Sequence, residues 1–152
     1  MIQIDDLDRR ILGELQRDAA QNLESLALRV GLSRNAIWRR IKALDEAGVI
    51  KGRVALLDAA KLGSGLSVVI MIRTNRHDPD WLDTFARTTR GMPEIQGVYR
   101  MTGDLDYMVR ARVADMAAYD ALYQRLIRKV DLSDVSASFV MEEIKETTAI
   151  PI

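Results

Sequence analysis

The 152-residue chain has no cysteine, a single histidine and only three prolines. The lack of cysteine excludes disulfides, thiol nucleophiles and thiolate metal sites. No apolar run reaches the roughly 20 residues that a membrane-spanning helix requires. The start of the chain, MIQIDDLDRR, is acidic and lacks the basic-then-apolar order of a secretion signal. These absences predict a cytoplasmic protein with no membrane partner.

Positive charge is concentrated in one part of a chain whose net charge is zero, with 22 basic and 22 acidic residues. Residues 29–53 hold seven cations against Asp45 and Glu46, which gives this segment a net charge of +5. The rest of the chain must carry the balancing negative charge. Such separation favours an anionic partner at one place on the surface without making the whole protein adhesive.

Three short helices are predicted in the first third of the chain, each after a residue that caps helix N-termini well. The last two end at a glycine, which tolerates the left-handed backbone that closes many helices. The predicted helices are 5–17, 23–30 and 34–47, their caps are Asp5, Asn22 and Ser33, and the glycines are Gly31 and Gly48.

A hairpin and a linker are expected to follow the helices. Residues 49–58 are rich in β-branched side chains around a central glycine, which predicts a short hairpin. Residues 59–65, AAKLGSG, are small and contain two glycines, so the domain boundary is placed there. The expected division is a first domain of 1–58 with a winged helix-turn-helix layout, a linker, and a second domain of 66–152.

The sequence of the second half of the chain predicts secondary-structure elements in the order β-α-β-β-α-β. This is the ferredoxin-like pattern, in which helices cover one face of an antiparallel sheet, and the predicted fold class is therefore α+β. The first strand is apolar on both sides, so the bare face of the sheet is expected to be buried, most simply by a second copy of the chain. The predicted strands are 66–74, 94–103, 106–113 and 135–143, and the helices are 77–90 and 115–129.

The third helix carries most of the clustered charge. When its aliphatic residues Ile37, Ile41 and Leu44 face inward, helical spacing turns the cations outward. An α-helix fits the DNA major groove, where arginine pairs with guanine, asparagine with adenine, and cations or hydroxyls with phosphates. The candidate DNA-binding residues are Ser33, Arg34, Asn35, Trp38, Arg39, Arg40 and Lys42 on the helix, and Lys51 and Arg53 on the predicted hairpin.

A less specific interpretation of this helix is also possible. A cationic helix face is often only solvated, and a single tryptophan is more often a packing residue than a recognition residue. The agreement of caps, glycine, second helix and hairpin with one motif nevertheless favours DNA binding.

The segment RMTGDLDYMV (100–109) places two carboxylates around a glycine-containing turn. On residues alone, the favoured interpretation is a turn, since glycine and aspartate suit hairpin turns for backbone reasons. A Ca²⁺ site would require six or more oxygen ligands, and two carboxylates fall short of that number. A catalytic site at this turn is not favoured either, since the turn has no accompanying nucleophile or paired histidine. The single histidine, His77, precedes a helix cap. No cofactor, metal or catalytic residue is therefore predicted.

Several segments together resemble the leucine-responsive/asparagine-regulator (Lrp/AsnC) family of bacterial and archaeal transcription factors. They are IDDLDRRILGELQRD, VGLSRNAIWRRIKALDEAGVIKG, TGDLDYMVRARV and the late MEEIK, so the resemblance extends over nearly the whole chain. It implies a winged-helix reader of double-stranded DNA and a βαββαβ (ACT-like, RAM) domain that senses an effector, usually an amino acid. It also implies homodimers that assemble into octamers or other multimers.

The resemblance places the effector pocket at the 100–109 turn, between neighbouring dimers. There, backbone groups would pair with the zwitterion, a carboxylate of the turn would accept its ammonium, and apolar residues would bound its side chain. The effector-binding residues that it implies are Tyr99, Met101, Thr102, Gly103, Asp104, Leu105 and Asp106.

Two positions depart from the family pattern. Many members have an aromatic residue where this chain has Arg53, and a proline often stands where it has Arg34. Two other functions stay open at this point: an amino-acid-sensing module that acts through a protein partner, and a small enzyme that uses the Asp104–Asp106 turn.

Overall fold

The computed structural model describes residues 3–152, which form two compact units. The first unit extends to Leu56 and includes Lys145–Ile152, and the second is Leu57–Ile144. The sequence predicts boundaries at 58 and 65, with the whole C-terminus in the second domain. The difference has a local cause, because the Gln16 side chain accepts from the Ile150 N–H at 2.7 Å and donates to the Ile150 carbonyl at 3.1 Å.

The first unit contains the three predicted helices with the predicted caps. Asp5 and Asp8 form the expected capping box, and the Asn22 and Ser33 side chains accept backbone N–H bonds from Ser25 and Ala36. The helices are α1 (Asp6–Arg17), α2 (Leu23–Val30) and α3 (Arg34–Glu46).

Glycine ends α3 as predicted. Gly48 has a φ of +70°, and the N–H of Val49 donates to the Leu44 carbonyl at 2.9 Å while the Gly48 N–H donates to the Asp45 carbonyl at 3.0 Å. This pair of bonds is the arrangement that satisfies the last carbonyls of a helix.

A small apolar core fixes the orientation of α3. Ile37 is fully buried in one cluster with Ile11, Leu26 and Val30 from the other two helices. Ile41 packs against this cluster while half-buried. Because these residues face inward, the opposite side of α3 is directed to solvent.

The predicted hairpin at 49–58 is absent from the structure. Residues 51–58 contain no helix or strand, and no backbone–backbone hydrogen bond between described residues involves them. A hairpin needs two facing strands and usually a two-residue turn such as Asn-Gly, and the lone Gly52 does not supply one. The segment instead leaves Val54, Leu56 and Leu57 exposed, by 81%, 74% and 72%.

The second unit has the predicted β-α-β-β-α-β order. All neighbouring strands are antiparallel, in the order β2-β3-β1-β4, which confirms the ferredoxin-like pattern. The elements are β1 (Leu66–Arg73), α4 (Pro79–Arg90), β2 (Ile95–Arg100), β3 (Tyr107–Val113), α5 (Met116–Ile127) and β4 (Asp134–Phe139).

The sheet buries one face beneath the two helices. Val68, Ile70 and Ile72 of β1 are at most 1% exposed and belong to the same core as Trp81 and Phe85 of α4. On β1, the residues between them are only half-buried. Burial of this other face of the sheet by a second copy of the chain remains a prediction. No helix within residues 3–152 is long and apolar enough to cross a membrane.

Candidate nucleic-acid interface and effector turn

The outer face of α3 carries most of the predicted DNA-binding side chains. Its capping serine and the first turn lie at the end of the helix where backbone N–H groups also point outward. The exposed members are Ser33, Arg34, Asn35, Trp38, Arg39 and Lys42. The structure therefore brings six of the nine predicted residues onto one face.

The cations on this face are paired weakly or have no protein partner. Arg34 lies 3.2 Å from Glu24, and Lys42 lies 3.7 Å from Glu46, with every partner more than half exposed. Exposed pairs of this kind contribute little to stability, so a phosphate can replace the carboxylate at small cost. Within residues 3–152, the side chain of Arg39 has neither an ion pair nor a hydrogen bond.

Arg40 differs from the other cations of α3. Its Nη1 donates to Asp5 at 2.9 Å and to Asp8 at 2.7 Å, and its side chain is only 31% exposed. The Asp8 N–H and the Arg40 guanidinium lower the pKa of the Asp5 carboxyl, although burial opposes them. The two carboxylates likewise raise the pKa of Arg40. Arg40 thus links α3 to α1 through these ion pairs, a role that sequence spacing does not reveal.

This network predicts a pH dependence of stability that Asp5→Asn should reduce. The Asp5 pKa is lowered on folding, so its contribution is present above the unfolded value of about 3.9 and is lost as pH falls through the folded value. Asparagine keeps the cap but removes the charge. We expect the mutant to be less stable at pH 7 and to lose less stability on acidification, as measured by urea unfolding at pH 7 and pH 3.

Asp115→Asn provides the matched control for that measurement. Asp115 caps α5 by accepting the Ala118 N–H at 2.8 Å, and no ion pair involving it occurs among the described residues. If the unfolding of Asp5→Asn had the same pH dependence as that of the wild type, the charge of Asp5 would make no contribution to stability through Arg40.

The two predicted residues after α3 lie on a segment without regular secondary structure instead of a hairpin. Arg53 Nη2 is 3.1 Å from Asp45, and both side chains are about 40% exposed. Lys51 is exposed and has no ion pair in the part of the chain that the structure describes. Both cations follow α3 closely, so they remain available to an anion that binds its exposed face.

The 101–106 turn is held by the end of β1. The Met101 N–H donates to the Asp106 carbonyl at 2.8 Å and closes the turn. Asp106 is then fixed twice, since its N–H donates to the Ile72 carbonyl at 3.0 Å and its Oδ2 accepts the Thr74 N–H at 2.8 Å. Arg73 Nε also donates to the Asp104 carbonyl at 2.9 Å.

These bonds divide the predicted effector residues into constrained and available groups. The Met101 N–H and one Asp106 oxygen are already used inside the protein. By contrast, no hydrogen bond to another described residue uses the N–H of Thr102, Gly103 or Leu105, nor the Asp104 carboxylate. Sequence reasoning missed Arg73 and Thr74, because residues about 30 positions away give no local signal.

Tyr99 lies over the backbone of β2. A Cβ built on Gly97 would be only 2.7 Å from Tyr99 Oη, so any side chain at that glycine would displace the ring. Tyr99 and Met101 remain 45% and 40% exposed. Both can therefore bound an apolar ligand group beside the turn.

A groove of about 430 Å³ lies between α4 and β2 and was not predicted. Its walls include Leu82, Phe85 and Val98, and Arg90 and Arg100 line it as well. No cluster of three or more potential metal-ligating side chains occurs within residues 3–152.

Comparison with known proteins agrees with both halves of the structure. Residues 4–51 match the winged helix-turn-helix DNA-binding family, and residues 67–150 match the Lrp/AsnC ligand binding domain. A chain with these two domains is a DNA-binding transcriptional regulator, not an enzyme. It belongs to the Lrp/AsnC family.

Relatives match along almost the full length. The glutamate uptake regulatory protein of Zymomonas mobilis is 46% identical over 150 residues, which cover 99% of this chain and 92% of that protein. An AsnC family transcriptional regulator from Agrobacterium tumefaciens has 48% identity and a TM-score of 0.94, covering 97% of this chain and 96% of its own. A transcriptional regulator from Neisseria meningitidis, solved in complex with L-methionine, has 33% identity and a TM-score of 0.93, covering 98% and 97%.

Proposed function

We propose that this protein is a sequence-specific regulator whose DNA binding and homo-oligomeric assembly respond to an amino acid in the cytoplasm. The observation that carries the proposal is the exposed face of α3, where Arg39 has no described protein partner and the neighbouring cations have only weak ones. A duplex would neutralise this face through its phosphates.

Contacts with DNA are assigned by position on α3. Arg34 and Asn35 occupy the first turn, from which side chains reach base edges in the major groove. The remaining polar residues suit phosphates, and Arg40 is omitted because Asp5 and Asp8 bind it. The proposed phosphate contacts are Ser33, Arg39 and Lys42, with Lys51 and Arg53 on the backbone beside the groove.

Selection from a random duplex library tests this assignment. The wild-type protein should enrich one sequence, and Asn35→Ala should relax the preference at one base pair by about 1–3 kcal/mol. If the protein enriched no sequence but still bound an amino acid, it would act through a protein partner instead of DNA.

The effector is proposed to bind at the 101–106 turn. The backbone N–H groups of Thr102, Gly103 and Leu105, which bond to no other described residue, suit the carboxylate of an amino acid. Asp104 is the better acceptor for the ammonium, because its carboxylate has no described partner whereas Asp106 is bonded to the Thr74 N–H. The methionine complex of the Neisseria meningitidis relative supports an amino acid as the ligand class.

Removal of the Asp104 charge should weaken this binding. A charge-assisted hydrogen bond contributes about 1.5–3 kcal/mol, so Asp104→Asn should raise the Kd for the effector by about tenfold or more. The effector is first identified as the amino acid that raises the wild-type Tm, and its Kd is then measured by calorimetry. Asp131→Asn, an exposed carboxylate outside the turn, serves as control. Equal Kd values for all three proteins would exclude Asp104 from the site.

Assembly is proposed to connect the two sites. The exposed Val54, Leu56 and Leu57 and the half-buried face of the sheet offer apolar surface for a homodimer. Dimers would join into a higher multimer, of which an octamer is the expected size. A ligand that binds between dimers would favour one assembly by its differential affinity. The number of α3 helices that engage spaced half-sites would then change.

Light scattering with and without the effector checks this coupling. The proposal expects the molar mass to change at effector concentrations that also change DNA affinity. A constant mass, together with altered DNA affinity, would require coupling within the dimer.

A further inference from the structure

Trp38 is the largest side chain on the exposed face of α3. The other tryptophan, Trp81, is only 4% exposed and lies in the core of the second unit, whereas Trp38 is 52% exposed. An indole surface in water forgoes the free energy that burial would give it. Trp38 therefore has substantial apolar area to offer a partner of this face.

Lys42 defines how the ring is presented. Its Nζ lies 5.3 Å from the centre of the Trp38 ring, a separation at which a cation is attracted to the aromatic face. The two residues are one helical turn apart, so the contact runs along the outside of α3. The same ammonium lies 3.7 Å from Glu46. One ring face is thus occupied by a neighbour, and the rest of the indole stays open.

The surroundings of Trp38 determine what it can meet. Helical spacing places it one turn beyond Arg34, on the same face as Asn35 and Arg39. Those polar neighbours suit phosphates and polar base edges, but the indole suits an apolar group. The major groove presents one prominent apolar group, which is the C5-methyl group of thymine.

We propose that Trp38 is a specificity-determining residue that packs on the C5-methyl group of a thymine in the major groove. Lys42 orients the ring through the cation–π contact. The proposal rests on the proposed function, since it requires α3 to lie in the groove. In this proposal Trp38 recognises a base through an apolar contact, whereas Arg34 and Asn35 recognise bases through hydrogen bonds.

The test removes single methyl groups from the DNA. Once selection has given a binding sequence, duplexes are made in which one thymine at a time is replaced by uracil, which lacks only the methyl. Wild-type affinity should fall by about fourfold at one or two positions, the value for one buried methyl-sized group, and stay level elsewhere. Trp38→Ala should bind every duplex of the panel equally, with lower affinity for the parent sequence.

Two further variants separate this role from folding and from charge. Met116→Ala shortens another exposed apolar side chain, 56% exposed on α5, and should keep the full uracil effect. Lys42→Gln should reduce the salt dependence of binding and partly reduce the uracil effect. Circular dichroism and Tm establish that each variant is folded.

Three results would decide against the proposal. Sequence-specific binding with no uracil effect in the wild type would overturn the thymine contact while leaving the proposed function intact. Retention of the full effect in folded Trp38→Ala would assign the methyl contact to another residue. Failure of the wild type to bind any duplex at low salt would overturn the proposed function and this inference together.

Discussion

Replacing Arg34 and Arg39 together with glutamate is expected to reduce affinity for the selected duplex by about 100-fold or more. Each base or phosphate contact of this kind contributes about 1–3 kcal/mol, and each 1.4 kcal/mol is a factor of ten. Reversal adds repulsion from the phosphates to the lost attraction. Neither residue is buried, so the fold should be preserved.

The matched control reverses two arginines on α4. Arg87→Glu with Arg90→Glu changes the net charge by the same amount, and both residues are exposed. Affinity measured by fluorescence anisotropy should change little for this control. If both double mutants lost affinity equally, binding would depend on overall charge and not on the face of α3.

Phe85→Ala is expected to lower the free energy of unfolding of the second unit by about 3–5 kcal/mol. Phe85 is 1% exposed and lies between two other rings, with its centroid 5.1 Å from that of Trp81 and 4.8 Å from that of Tyr107. Truncation leaves a cavity that these rings and the strands cannot fill, and it removes two aromatic contacts.

Urea unfolding followed by Trp81 fluorescence measures this loss in a Trp38→Phe background, in which Trp81 is the sole tryptophan. Leu82→Ala provides the control on the same helix, because Leu82 is 39% exposed and should lose far less stability. Equal losses for the two variants would show that the aromatic cluster does not dominate the core of this unit.

Local sequence signals predicted the elements that depend on local chemistry. Asp5, Asn22 and Ser33 are correctly predicted as caps, and each accepts a backbone N–H in the first turn of its helix. The strands predicted at 66–74 and 106–113 likewise agree with β1 and β3 to within one residue at each end.

Features that depend on distant residues were not predicted. Helical spacing places Arg40 near the exposed face with the other cations of α3. Nothing in the sequence around Arg40 indicates that it binds the carboxylates of α1. The anchoring of the turn by Arg73 and Thr74 depends on strand pairing across the sheet. The prediction of a hairpin at 49–58 is wrong, because β-branched residues favour extended backbone but do not by themselves provide a pairing partner.

The dependence of DNA affinity on salt tests the central claim most directly. If the exposed face of α3 neutralises phosphates, log K for the selected duplex should fall linearly with log salt concentration, with a slope of about −0.9 per phosphate contact. Arg39→Ala should make that slope shallower by about one unit, and Arg87→Ala should leave it unchanged. A slope that is identical in all three proteins would contradict the account, because the one cation of α3 that is free of any described partner would then make no contact with DNA.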